Sequence, residues 1–131
     1  MSAPEIRVVD LAEVPGNTKR GGDLRVLLSP KTVGSTSGYM GVAVLRPGER
    51  VNEHYHPYSE EYLYVTTGSV TVDLDGKPYE LRAGQAVLVP VDVRHRVRNT
   101  GAEQAHIAFF LTPLAPRPEL GHVDTEEGPG D

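Results

Sequence analysis

The fold class this sequence predicts is all-β, a sandwich or barrel built as a single domain. Three observations predict it. Short strand-like runs recur between glycine and proline punctuation, and no segment sustains a helical period. One run, 93–99 (VRHRVRN), alternates apolar and polar residues with the period of a strand that has one face buried. At 131 residues the chain has room for one core and little more.

The elements follow in order. Residues 5–9 (EIRVV) and 24–28 (LRVLL) read as early strands, and 38–45 (GYMGVAVL) as a longer one stopped by Arg46-Pro47-Gly48. Residues 61–66 (EYLYVT) pass through Gly68 into 69–74 (SVTVDL). Asp75-Gly76 is the dipeptide a tight hairpin prefers, since both residues tolerate positive φ. Then come 78–82 (PYELR), a turn at Ala83-Gly84, and 85–90 (QAVLVP). In 93–99, Val93, His95, Val97 and Asn99 share the inner face, with Arg94, Arg96 and Arg98 directed to solvent. Thr100-Gly101 turns the chain into a last strand, 104–112 (QAHIAFFLT). Closing the sheets on one another removes the exposed edges that so many strands would otherwise present. The organisation expected is N-terminal strands and a loop over 1–35, a core over 36–113, and an extended, Pro- and acid-rich tail over 114–131.

Composition excludes several chemistries. With no cysteine, there is neither a disulfide nor a thiolate zinc site, so any metal must be held by His and carboxylate. A net charge of −5 argues against a nucleic-acid partner. No apolar run has the length of a membrane span and no secretory pattern opens the chain, so a cytoplasmic protein without a membrane partner is expected.

His54 and His56 are two residues apart, so on an extended strand both imidazoles project from one face. Glu61 follows a bend at Pro57, and His95 sits on the inner face of a later strand. Three imidazoles and a carboxylate make a site for Zn, Fe(II), Ni or Mn. Glu60 and Glu61 are adjacent, and strand alternation lets only one of them face the metal. The spacing to Gly68 favours Glu61 and leaves Glu60 at the mouth as a candidate base or a solvated residue. His106 and His122 are read as structural or exposed, with an additional ligand role as the alternative, chiefly for His106 on a strand neighbouring His95. With Glu61 inward, Leu63, Val65 and one of Phe109 and Phe110 also face inward, giving a mainly apolar pocket above the metal. Tyr62 and Tyr64 face away, toward packing between sheets or subunits.

Gly48, His54, His56, Glu61 and Gly68 fit the pattern G(X)5HXH(X)4E(X)6G, and Gly84, Pro90, His95 and Asn99 fit G(X)5PXG(X)2H(X)3N with Asp92 in place of its middle glycine. These are the two cupin motifs, and the chain resembles the cupin superfamily, which implies a double-stranded β-helix (jelly roll). The runs His54–Val65 and Val89–Gly101, with the Pro-Leu-Ala-Pro-Arg-Pro stretch at 113–118, further resemble the small cupin-type cyclases of bacterial aromatic (type II) polyketide biosynthesis. That resemblance implies a metal-dependent cyclase or aromatase performing an intramolecular aldol closure on a carrier-bound poly-β-ketone. It implies one divalent ion, zinc first with Fe(II) or Ni as alternatives, on His54, His56, Glu61 and His95. Glu60 or a water on the metal would act as base. It also implies a homodimer, for which strand 5–9 is a candidate for exchange. The rivals are a quinone-forming oxygenase using the same ligands and a non-catalytic small-molecule-binding cupin.

Overall fold

A computed structural model describes residues 6–126. Ten strands form in chain order: β1 (Asp23–Leu28), β2 (Tyr39–Leu45), β3 (Arg50–Tyr55), β4 (Glu60–Thr67), β5 (Ser69–Leu74), β6 (Lys77–Arg82), β7 (Ala86–Val89), β8 (His95–Arg98), β9 (Ala105–Thr112) and β10 (Val123–Asp124). They make two five-stranded antiparallel sheets, ordered β1-β2-β9-β4-β7 and β10-β3-β8-β5-β6. Consecutive strands are repeatedly sent to opposite sheets, and the inner faces close on one core in which Leu45, Val65, Val70, Val72, Val89, Ile107 and Leu111 are fully buried. Fold class and most strand positions agree with the sequence expectation.

The turns explain why the chain can double back so tightly. Asp75 and Gly76 both have positive φ (48° and 83°) and join β5 to β6 with a two-residue loop. Asp92, where the second motif has glycine elsewhere, adopts φ 68°, a conformation that Asp reaches more readily than most residues. Gly68 has φ 77°, and a Cβ there would lie 2.7 Å from the Gln104 carbonyl oxygen, so this position admits glycine for two separate reasons. Asn99 closes the β8–β9 connection. Its amide donates to the carbonyls of Leu45 and Glu103, both at 2.8 Å, and its oxygen accepts from the Gly101 N–H at 3.0 Å.

Five expectations are revised. The 5–9 strand does not form: residues 6–10 pair with no strand, Ile6 and Val8 are exposed, and Glu5 lies outside the described residues. No edge of either sheet takes this segment up within one chain. Second, β3 is a full strand, concealed in the sequence by Asn52 and Glu53, which break its apolar alternation. Third, Arg96 and Arg98 are not free solvent charges. Arg98 grips Asp73 with two bonds of 2.8 and 2.9 Å, and Arg96 pairs with Glu126 at 3.1 Å. Fourth, Tyr62 and Tyr64 do face away from Glu61, but onto the outer surface of their sheet, so neither packs between the sheets. Finally, the Pro-rich stretch after β9 is not a plain extended tail: it makes a short 3-10 helix (Pro118–Leu120) and comes back to lay β10 against β3; residues 127–131 of the expected tail are outside the described residues.

Candidate metal centre

The site lies between the sheets, with contributions from both. His54 near the end of β3 faces His95 on β8 as a direct cross-strand partner. β8 is the central strand of its sheet, so His95 is flanked by His54 on one side and Leu74 on the other. A register shift between Val51 and His54 bends β3 just ahead of the ligands, and His56 follows directly after the strand. Glu61 reaches in from the opposite sheet, on β4 between Val89 and Leu111. One potential ligand atom from each of His54, His56, Glu61 and His95 lies within 4.8 Å of all the others, and all four residues are buried.

Hydrogen bonding fixes the imidazoles for coordination. Nδ1 of His54 contacts the Asn52 carbonyl at 2.7 Å, that of His56 the Gly121 carbonyl at 2.9 Å, and that of His95 the Val93 carbonyl at 3.0 Å. A carbonyl only accepts, so each Nδ1 carries the proton and each Nε2 is left with a lone pair for a metal. Nε2 of His56 and of His95 makes no hydrogen bond, although Glu61 Oε1 lies 3.4 and 2.8 Å away. Close approach without alignment means that these axes do not point at the carboxylate. Buried polar atoms are nearly always paired, so two buried nitrogens converging beside a buried carboxylate fit a divalent ion.

Burial, followed by the neighbouring His95 and His122, pulls His54 down to about 3, so it is neutral at pH 7 as a ligand must be. Burial alone would raise Glu61, but the His56 and His95 rings hold its carboxyl well below the usual carboxylate range. His95 moves upward: burial would lower it, and the Glu61 carboxylate beside it outweighs that. For His54 the folded value lies below the ordinary 6.5, so the unfolded chain binds a proton there that the folded chain refuses. Its contribution to stability is therefore intact above 6.5 and lost as pH falls toward 3, at about 1.4 kcal/mol per pH unit. His95 acts with the opposite sign, stabilising the fold at low pH and losing that contribution as pH rises through its elevated value. Urea unfolding of metal-free protein at pH 7 and pH 5 separates the two. Wild type is expected to lose about 2 kcal/mol more over this interval than His54→Gln.

Among the other predicted residues, Glu60 is not in the site. Strand parity turns it to the face opposite Glu61, where it accepts a 3.3 Å hydrogen bond from the Tyr62 hydroxyl, so it cannot serve as a base at the metal. His106 is also on an outward position of β9, between inward Ala105 and Ile107. His122 does reach the pocket but is not among the four residues whose ligand atoms converge. It stacks on His54 with centroids 4.3 Å apart, and its Nε2 is engaged by Asp124 at 2.7 Å.

Above the ligands lies an apolar cavity of about 160 Å³, walled by Leu63, Phe109, Ile107, Leu111, Ala43 and Val97. Of the two phenylalanines, Phe109 faces inward and Phe110 outward. Asn17, Arg20 and His122 line the more exposed side and mark the opening, while Tyr39 adds a hydroxyl to the wall. Burial, and then the negative Glu61, push the Tyr39 phenol up, so it stays protonated. Tyr39 was readable from the sequence, since it alternates in phase with Ala43 and Leu45; Arg20 sits in a loop with no pattern to mark it.

Two closed antiparallel sheets, with three inward imidazoles from one and a carboxylate from the other, define a small β-sandwich whose buried cluster could hold a metal ion. The chain belongs to the cupin family, whose cupin domain matches residues 41–111. It is 62% identical over 127 residues to protein SchB of Streptomyces halstedii, covering 97% of this chain and 92% of that protein. Polyketide synthase CurC of Streptomyces cyaneus is 62% identical over 120 residues, 92% of this chain and 78% of that one. Tetracenomycin polyketide synthase protein TcmJ of Streptomyces glaucescens is 46% identical over 121 residues, 92% and 81% of the two chains. Among solved structures, a double-stranded β-helix protein from Klebsiella pneumoniae superposes with TM-score 0.74 at 19% identity, over 94% of this chain and all (100%) of that one. Bacillus subtilis oxalate decarboxylase gives 0.75 at 21% identity over 88% and 31%. These last two bear on the fold alone. Among the described residues no helix is long and apolar enough to cross a membrane.

Proposed function

We propose that this chain is a metal-dependent cyclase of polyketide biosynthesis, closing a ring in a poly-β-ketone by intramolecular aldol condensation and loss of water. The observation that carries this reading is the buried His54–His56–Glu61–His95 cluster at the floor of an apolar cavity. It is supported by relatives named as polyketide synthase proteins at 46 and 62% identity. Zinc is the ion we assign to the site. When bound there, a divalent ion supplies Lewis acidity to a ketone oxygen and stabilises the enolate of the adjacent methylene.

The remaining work falls to the chain's own side chains. Leu63, Ile107, Phe109 and Leu111 exclude water and restrict the conformations of a bound chain, so that one ring closure is favoured over others. A cavity of about 160 Å³ is the size that holds a benzene-sized guest, so it admits one ring, and the rest of the chain leaves past Asn17 and Arg20. The protonated Tyr39 hydroxyl is a hydrogen-bond donor for a second substrate oxygen. Substrate tethered to a carrier protein fits such an opening.

The homodimer is part of the same proposal. Tyr62, Tyr64, Leu88 and Phe110 form an exposed apolar face on the outside of one sheet, with Glu60 at its margin beside Tyr62, and we assign it to a second copy, whose identical apolar face complements it. Sedimentation at micromolar concentration is expected to give a dimer that Tyr64→Glu dissociates; a wild-type monomer removes this part.

Metal analysis of protein purified without added metal tests the reading. One redox-inert divalent ion per chain is expected. Bound iron with oxygen uptake on a phenolic substrate would favour the oxygenase, and ligand binding with no metal and no turnover would leave a binding protein.

A further inference from the structure

The three ligand imidazoles are not held in the same way. His54 and His95 each engage a carbonyl two residues back on their own segment, Asn52 and Val93. His56 lies beyond the end of β3, and its Nδ1 contacts the carbonyl of Gly121, 65 positions later. That carbonyl belongs to residues 113–126, a segment outside the matched 41–111.

This segment is fastened on both sides of Gly121. Upstream, the Ser59 hydroxyl donates to the Pro113 carbonyl, and the Gly121 N–H closes a turn on Pro118 at 3.1 Å. Downstream, β10 pairs with the ligand strand itself, Val123 opposite Tyr55 and Asp124 opposite His54. The Thr125 N–H donates to the Glu53 carbonyl at 3.0 Å and its hydroxyl to the Glu53 carboxylate at 2.8 Å. At the far end the Glu126 carboxylate accepts from the Glu53 N–H at 2.7 Å and from Arg96 at 3.1 and 3.2 Å, and lies 2.9 Å from the Arg50 guanidinium.

We propose that residues 113–126 are a strap, clasped by Glu126 onto Arg50 and Arg96, that positions the His56 imidazole and thereby sets how tightly the site holds its metal. The partner of a ligand's second ring nitrogen fixes its tautomer and orientation, and losing such a partner costs roughly 10- to 100-fold in metal affinity. Here that partner is supplied by a segment whose own position depends on a carboxylate clasp five residues further on. The inference rests on the metal-centre reading above, so its test carries one arm that needs no metal.

The full-length protein is compared with Glu126→Ala, with Thr125→Pro, which removes the bond to Glu53, and with the control Glu119→Ala on the exposed Arg117–Glu119 pair of the strap. Zinc affinity and release are followed by chelator competition well below the unfolding temperature of each metal-free protein. Glu126→Ala and Thr125→Pro are expected to bind zinc at least about tenfold more weakly and release it faster, with Glu119→Ala unchanged. Nitrogen-15 NMR of the metal-free proteins is expected to show a single Nδ1–H tautomer of His56 in wild type and a mixture in Glu126→Ala. Wild-type affinity in both strap variants with an unaltered His56 tautomer would overturn the strap. A wild type that takes up no zinc would overturn the metal reading instead, and the tautomer comparison alone would then decide the strap.

Discussion

Replacing His95 by alanine is expected to bring ring closure down to the uncatalysed background and to weaken metal binding by about a hundredfold. The magnitude follows from sharing the roughly 10–16 kcal/mol of a well-formed zinc site among four ligands, about 3 kcal/mol each. His95 is the most buried of the four, on the central strand of its sheet, with no neighbouring side chain able to substitute for it. His122 is tethered on the pocket's outer side, its Nε2 2.7 Å from an Asp124 carboxylate that also accepts from Arg20 at 3.2 Å. The substitution also leaves Glu61 buried with one fewer imidazole, so the metal-free variant should unfold earlier in urea. Equilibrium dialysis against zinc, with product analysis on the same sample, checks both parts. Full cyclisation by a metal-free His95→Ala protein would remove the cluster from the chemistry.

Ala43→Phe is expected to separate the cavity from the metal. Ala43 is an inward residue of β2, set opposite Leu24 and Ile107, and contributes to the cavity wall without belonging to the ligand set. A phenyl ring there occupies most of a space of about 160 Å³. Overpacking of this kind costs about 1–3 kcal/mol of stability, which a core of this extent should survive. Misplacing a substrate by about 1 Å can cost about a hundredfold in rate, and kcat/KM should fall by at least that much while one metal per chain remains bound. A variant that turns over normally would show that the chemistry lies elsewhere on the molecule.

Much of this was legible because spacing in a β protein is geometry. His54 and His56 had to share a face, Glu61 had to take Leu63 and Val65 inward with it, and His95 had to lie on the apolar side of an alternating strand. The same parity already counted against Glu60 once Glu61 was chosen, and the structure turns Glu60 outward beside Tyr62. What could not be read were contacts between residues far apart in sequence. Nothing local in Pro113–Glu126 says that Gly121 will meet His56 or that Glu126 will meet Arg50 and Arg96, because polar residues in a Pro-rich stretch carry no period. The arginines of β8 looked like solvated charges for the same reason: alternation tells which face they occupy but not which carboxylates await them there.

The central claim, that the buried cluster serves a redox-neutral ring closure, is tested most directly by anaerobic turnover. Zinc-loaded protein is mixed with a poly-β-ketone thioester in the absence of oxygen, and the products are followed by mass and ultraviolet absorption. The account predicts an aromatic product lighter than the substrate by water alone, formed at the same rate with and without oxygen and suppressed in His95→Ala. No product without oxygen, or a product that has gained oxygen atoms once air is admitted, would contradict it.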